Sequence, residues 1–145
     1  MGRMASAKII LLLLRLALGG IFIYAGALKI VDAASFASAV HNFQLTPWTV
    51  SVIIAVYLPW LEIFAGLALI LRRLPLGAAL ALVILNAVFL IALTSAWGRG
   101  LDISCGCFGK EEHKIQTHFP QLFLRDAALL AAAITLFIAE LRRPK

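Results

Sequence analysis

The chain has 145 residues, of which 63% are hydrophobic and only 14% are charged, and its net charge is +6. A soluble domain is usually about half apolar and about a quarter charged, so this composition excludes an ordinary soluble fold. The positive charge does not indicate nucleic-acid binding, because the basic residues stand at the ends of apolar blocks and form no stripe interleaved with aromatic residues. We therefore expect one membrane domain over residues 1–145 that is embedded in the lipid bilayer and binds no nucleic acid.

Four apolar blocks are each near the roughly 20 residues that a helix needs to cross a bilayer. Helices are expected because a lipid-exposed segment must satisfy its own backbone hydrogen bonds. The predicted fold is an all-α integral membrane four-helix bundle with spans at about 9–28, 50–71, 76–97 and 122–141. An alternative makes the first block a signal peptide, because it has a basic start and an Ala25-Gly26-Ala27 sequence that resembles a cleavage site.

The connection between the first two spans is predicted to contain a short helix. Phe36, Val40 and Phe43 recur at helical spacing through Ala33–Asn42, and Asp32 stands at the position of an N-cap. We expect this helix to lie in the membrane interface. Two roles remain open for it: a cap on the bundle beside the cysteine-containing connection, or an ordinary amphipathic connector.

Lys and Arg residues in the short connections indicate the orientation, because cytoplasmic segments carry more of them. With the N-terminus inside, seven basic residues flank the spans on the cytoplasmic side and four on the outer side. The first set is Arg3, Lys8, Arg72, Arg73, Arg142, Arg143 and Lys145, and the second is Lys29, Arg99, Lys110 and Lys114. We predict a multi-pass protein of the bacterial cytoplasmic (inner) membrane, with both termini cytoplasmic and the cysteine-containing connection outside.

The two cysteines of the chain, Cys105 and Cys107, are separated only by Gly106. A disulfide across one residue closes a small ring, and departures from relaxed geometry make such a bond easier to reduce. Gly106 gives the backbone the freedom that this ring needs. Because labile disulfides tend to be catalytic or regulatory, Cys105 and Cys107 are the predicted catalytic residues of thiol–disulfide exchange. An inert or structural pair is one alternative.

A metal site is the other alternative, although no metal is our first expectation. His113 and His118 follow the cysteines in the same connection. Two thiolates and two imidazoles suit zinc or a soft metal such as Cu(I). The metal interpretation therefore uses Cys105, Cys107, His113 and His118 together, whereas solvated histidines need no metal.

At Cys105-Gly106-Cys107-Phe108-Gly109, after the third span, the sequence resembles the MauE/DoxX family of redox-associated membrane proteins, and most closely its MauE (methylamine utilisation) branch. Other stretches agree with that family in order and spacing. They are Tyr24-Ala25-Gly26-Ala27-Leu28-Lys29, Phe36 through Pro47, Leu58-Pro59-Trp60-Leu61-Glu62 followed by Gly66, and Arg99-Gly100-Leu101-Asp102. The resemblance covers most of the chain.

The resemblance implies four helices and a role in forming or relaying disulfides outside the cytoplasm. It implies a thioredoxin-like partner and, as in the methylamine system, a maturing disulfide-rich client. Relatives of the DoxX type imply quinone as the cofactor, if there is one. A self-sufficient oxidase generally uses two cysteine pairs, whereas this chain has one. Either the one pair both oxidises the partner protein and passes the electrons to quinone, or the protein only relays disulfides or assists another oxidase.

Two charged residues inside the spans are predicted to form a structural ion pair. Arg15 lies about 9 Å into the first span, and Glu62 lies about 13–14 Å before the cytoplasmic end of the second, at the helical rise per residue. Their burial is costly, so a proton or quinone role is the alternative to a pair that only locks two helices. Asn86, in the middle of the third span, is expected to form an interhelical hydrogen bond.

Lys29, Arg125 and Asp126 are expected at the outer face, near the level of the cysteines. A cation there lowers the pKa of a thiol and favours the thiolate. It also polarises a quinone carbonyl, which makes Lys29 and Arg125 candidates for quinone binding or thiolate stabilisation. The alternative is that both cations anchor helix ends by snorkelling.

Three functions remain open at this point. The first is a thiol–disulfide redox protein, with enzymatic, quinone-linked oxidation as its fullest form. The second is a non-enzymatic assembly or maturation factor, which should tolerate replacement of both cysteines by serine. The third is a small metal-handling membrane protein, which should also require His113 or His118.

Overall fold

The computed structural model describes residues 2–101 and 119–142, and these residues form five α-helices. The helices are α1 (Gly2–Val31), α2 (Ala33–Asn42), α3 (Trp48–Ile70), α4 (Pro75–Gly98) and α5 (Phe119–Leu141). By length and composition, α1, α3, α4 and α5 are the four that are able to cross a membrane. The predicted all-α, four-helix membrane bundle is therefore confirmed. The helices extend beyond the apolar blocks because polar residues at a membrane surface can continue a helix.

The short helix α2 is confirmed at Ala33–Asn42, the bounds that the sequence predicts. Asp32 caps it, since its side chain accepts a hydrogen bond from the Ser35 backbone N–H at 3.3 Å. Phe36 and Ala37 are buried against Ala55 of α3. The helix thus packs on the bundle rather than acting only as a connector.

A polar contact joins the end of α4 to the chain just after α2. The Arg99 guanidinium donates a hydrogen bond to the backbone carbonyl of Phe43. The Phe43 side chain is buried with Leu93 and Ala96 of α4 and with Leu122 of α5. These contacts place α2, the end of α4 and the start of α5 on one side of the bundle, which we call the α2 face. The α3–α4 turn and the two ends of the described chain lie on the opposite side, the terminal face.

Helices α1 and α3 run antiparallel and approach closely where glycines meet. A Cβ atom added to Gly66 would lie 2.8 Å from the Gly19 carbonyl oxygen, and one added to Gly26 would lie 2.8 Å from the Pro59 carbonyl oxygen. Both distances are too short for a real Cβ contact, so these positions require glycine. The two contacts fix the register, with Gly19 level with Gly66 and Gly26 level with Pro59. Because α1 continues to Val31 and Gly26 contacts α3, the Ala25-Gly26-Ala27 stretch lies within a helix of the bundle.

The close contact of Gly66 with the Gly19 carbonyl predicts that a side chain at residue 66 lowers the stability of the protein. Gly66→Ala should lower the free energy of unfolding by about 1–3 kcal/mol, because the new methyl group overlaps the α1 backbone. Gly20→Ala is the matched control, since a Cβ there meets nothing within 4 Å. Unfolding midpoints measured by circular dichroism in one detergent would show the difference. Equal midpoints for the two variants would contradict the register.

Candidate functional site

Four polar side chains, one from each membrane-spanning helix, are buried at one level of the bundle. They are Lys29 of α1, Glu62 of α3, Asn86 of α4 and Asp126 of α5, with exposed fractions of 6%, 6%, 5% and 4%. Together with Phe36 of α2 they line a cavity of about 60 Å³. Ionisable groups buried inside a membrane bundle are costly, so a cluster of them marks a functional site.

Lys29 and Glu62 form the charged centre of the cavity. The Lys29 Nζ lies 2.6 Å from Oε1 and 2.8 Å from Oε2 of Glu62, so the ammonium donates to both carboxylate oxygens. The same Nζ lies 5.1 Å from the centre of the Phe36 ring, within the range of a cation–π contact. The helix α2 therefore covers the ion pair with an aromatic ring. The positive charge of Lys29 is compensated inside the bundle, so Lys29 does not simply snorkel to the surface.

The predicted Arg15–Glu62 ion pair is wrong, because the register of α1 and α3 keeps the two residues apart. Arg15 lies four residues before Gly19 in α1, and Glu62 lies four residues before Gly66 in α3. Since the helices are antiparallel, the two offsets add to about eight residues, or about 12 Å along the bundle axis. Glu62 pairs with Lys29 instead.

Arg15 pairs with Glu140, near the end of α5. Both side chains are buried, at 3% and 6% exposure. This second ion pair ties α1 to α5 near the terminal face and lies outside the cavity. Glu140 is not among the residues predicted from the sequence. Its pairing could have been predicted, because Arg15 lies in the N-terminal half of the first apolar block and Glu140 at the C-terminal end of the last, and both ends are expected on the same side of the membrane.

Asn86 forms the predicted interhelical hydrogen bond. Its side-chain nitrogen donates to the backbone carbonyl of Asp126 at 3.0 Å. This bond joins α4 to α5 and brings the buried Asp126 side chain to the cavity. Asp126 is predicted from the sequence at the outer face beside Arg125, whereas in the structure its side chain is buried and lines the cavity.

Lys29 and Arg125 do not share a site among the described residues. The Arg125 side chain is 32% exposed, lies 3.5 Å from Oδ1 of Asp126 and does not line the cavity. Its position is therefore at the edge of α5, while Lys29 lies inside the bundle. Their predicted effects on thiols or a quinone stay predictions. The residues Cys105, Cys107, His113 and His118 lie outside the described residues.

An apolar groove of about 340 Å³ lies beside the cavity, between α2, α3 and α4. Its walls are Phe36, Val40, Phe43, Leu45, Thr46, Ile54, Leu58, Leu85, Val88, Phe89 and Ala92. Four of these residues, Phe36, Leu58, Leu85 and Phe89, also line the cavity. Leu45 and Val88 are 52% and 61% exposed, so the other end of the groove reaches the surface of the bundle. The groove therefore adjoins the cavity of the Lys29–Glu62 pair, and the four shared residues form their common wall.

The fold and this site define a multi-pass membrane protein with a polar centre inside a four-helix bundle. The chain belongs to the MauE family, since the family model described as methylamine utilisation protein MauE matches residues 7–139. It is similar to the methylamine utilization protein MauE of Paracoccus denitrificans, with 34% identity over 96 residues. The match covers 66% of this chain and 52% of that relative, so the chain spans about half the length of the relative. No solved structure matches the chain.

Proposed function

We propose that this protein forms or relays disulfide bonds outside the cytoplasm through Cys105 and Cys107. The observation that carries the proposal is a Cys-Gly-Cys sequence in the connection between α4 and α5 of a MauE-family chain. The name of the Paracoccus denitrificans relative places that relative in methylamine utilisation. We extend this to the present chain as a role in maturing a disulfide-rich client, with a thioredoxin-like protein as the direct partner.

The exchange takes place in two steps. A thiolate of the reduced partner attacks one sulfur of the Cys105–Cys107 disulfide, which gives a mixed disulfide and releases the other sulfur as a thiol. The second thiolate of the partner attacks the mixed disulfide and restores the free cysteine. The partner leaves with a new disulfide, and its two electrons and two protons remain on the Cys105–Cys107 dithiol.

The dithiol must be reoxidised, and a membrane quinone is the proposed acceptor. A bound quinone supplies the capacity to take up two electrons and two protons in one cycle. The described residues fit such a molecule, because an apolar groove adjoins a cavity that holds a buried ammonium, and an ammonium is able to donate a hydrogen bond to a carbonyl oxygen. A single cysteine pair then accepts electrons from the partner and delivers them in turn.

Oxidation of a reduced thioredoxin-like donor by the purified protein in nanodiscs tests the proposal. With a short-chain quinone present, the donor should be oxidised catalytically. Cys105→Ser or Cys107→Ser should abolish turnover, because neither variant is able to form the intramolecular disulfide. Ser104→Ala is the neighbouring control and should keep the wild-type rate. Turnover that survives loss of both cysteines would overturn the redox function.

Two other functions make different predictions for the same variants. An assembly factor would support client maturation in cells even when Cys105 and Cys107 are both serine. A metal-handling protein would retain a stoichiometric metal ion in the dithiol form and lose it in His113→Ala. Either result would replace the redox proposal.

We also propose that both termini are cytoplasmic and that Cys105 and Cys107 face outward. The placement of Arg72 and Arg73 in the α3–α4 turn, on the terminal face, supports this orientation. An impermeant maleimide should label both thiols in reduced spheroplasts. Leu74→Cys in a chain with both native cysteines changed to serine is the control, since Leu74 is 82% exposed in that turn. It should be labelled only after the membrane is opened. The reverse pattern would contradict the orientation.

A further inference from the structure

We infer that the groove and the cavity together form one binding site for a lipid-soluble molecule with a single apolar chain and a neutral carbonyl head, the chemical class of the isoprenoid quinones. The inference rests on the proposed function for the redox role of this ligand. The binding itself depends on the described residues alone. The chain of the ligand lies in the groove, and its head lies at the inner end, facing Lys29.

The size and lining of the groove suit an apolar chain. Its volume of about 340 Å³ is within the range of roughly 300–1,000 Å³ of small-molecule sites. Among the described residues that line it, Thr46 is the one with a polar side chain. Because the mouth between Leu45 and Val88 is at the surface of a membrane-spanning bundle, a ligand is able to enter sideways from the bilayer without crossing water.

The inner end of the groove suits a flat ring. Phe36, Phe43 and Phe89 all line the groove, and the Phe43 and Phe89 rings lie 6.1 Å apart in an edge-to-face arrangement. Aromatic side chains favour stacked or edge-to-face contacts with another ring. The cavity beyond holds about 60 Å³, which accommodates a carbonyl oxygen and a few water molecules rather than a whole ring. The ring therefore lies among the phenylalanines, and its carbonyl points into the cavity.

The charges at the cavity select a neutral head. An ammonium has three N–H donors, and the two carboxylate oxygens of Glu62 take two of them from Lys29. A carbonyl oxygen is able to accept the third without adding charge. A carboxylate or phosphate head would bring a net negative charge beside Glu62 and the buried Asp126. Lys29, the one cation among the described residues that line the cavity, is already paired. A quinone head is thus favoured over a fatty acid or a phospholipid.

Photolabelling of the purified wild-type protein in nanodiscs tests the location without any variant. An azido-benzoquinone with a decyl chain should label peptides within 36–46, 54–58 or 85–92. Unmodified decyl-benzoquinone should compete for this labelling, and decanoate, with the same chain length and an anionic head, should not. Labelling only outside these peptides would overturn the site. Equal competition by decanoate would assign the site to a fatty acid instead.

Equilibrium binding of decyl-benzoquinone to variants tests the two ends of the site. Ala92→Phe fills the groove and should raise the dissociation constant at least about tenfold. Ile91→Phe is the matched control, because Ile91 is 69% exposed and does not line the groove, and its dissociation constant should stay within about twofold of wild type. The double variant Lys29→Met/Glu62→Met removes the ion pair without leaving a lone charge and should also weaken binding at least about tenfold. Equal affinities for all three variants would overturn the inference.

Different results would contradict the binding site and the proposed redox function. Cys105→Ser should bind decyl-benzoquinone as tightly as the wild type, since no cysteine is among the described residues that line the groove and the cavity. Binding without any donor oxidation would leave the site standing and remove the redox function. Donor oxidation with a soluble oxidant, combined with no measurable binding of decyl-benzoquinone, would leave the thiol chemistry standing and remove the site.

Discussion

Glu62→Gln is expected to lower the free energy of unfolding by about 3–5 kcal/mol, the cost of breaking a buried ion pair in soluble proteins. The Lys29 and Glu62 side chains are only 6% and 8% exposed, so Glu62→Gln would remove the carboxylate that accepts both hydrogen bonds of Lys29 at a position with little access to water. Lys29→Met in the same chain should recover most of the loss, because the uncompensated charge is removed. Denaturant unfolding of the wild type and of these two variants in one detergent, read by circular dichroism, measures the loss and its recovery.

Arg15 supplies the control for this experiment. It pairs with Glu140, so Arg15→Gln should be destabilising by itself and its effect should add to that of Glu62→Gln. Rescue of Glu62→Gln by Arg15→Gln, together with no rescue by Lys29→Met, would restore the pairing that the sequence suggests and contradict the register of α1 and α3.

The Cys105–Cys107 pair is expected to be mostly reduced at a redox poise near −300 mV, where structural disulfides remain oxidised. The one-residue spacing is the reason, since a small ring departs from relaxed disulfide geometry and is easier to reduce. A more positive reduction potential is also what an oxidant of partner proteins requires. Titration of the purified protein in glutathione buffers, read by alkylation and mass shift, measures the midpoint.

Two outcomes of the titration would remove the redox function. One is a pair that stays fully oxidised at the poise near −300 mV, as a structural disulfide does. The other is a pair that never forms an intramolecular bond. The Cys107→Ser variant has a single thiol, so its alkylated form gives the reference mass against which both outcomes are read.

The helices were predictable because their signals are local. Hydropathy marks the four spans, and the spacing of Phe36, Val40 and Phe43 after Asp32 marks α2. The partner of Glu62 was not predictable from depth alone. Depths counted from the ends of different apolar blocks share no common origin, and the relative height of α1 and α3 is set by the contact of Gly19 with Gly66.

The cavity was only partly predictable. Lys29, Glu62 and Asn86 each stand out in the sequence as polar residues within or at the end of an apolar block. Their convergence on one point requires all the helices to be packed together, and no local pattern specifies that packing. The burial of Lys29 also depends on α2 folding back so that Phe36 covers the ammonium. The groove could not be predicted from the sequence, because its mostly apolar residues do not differ from other apolar residues of the spans until their positions in three dimensions are known.

Phe43 belongs both to a wall of the groove and to the cluster that holds the end of α4 against the start of α5. Just before residues 102–118, the Arg99 guanidinium donates a hydrogen bond to the Phe43 carbonyl. Just after them, Leu122 is buried in the same cluster as the Phe43 side chain. The described residues on both sides of that connection are therefore anchored at one phenylalanine, which is also a wall of the groove.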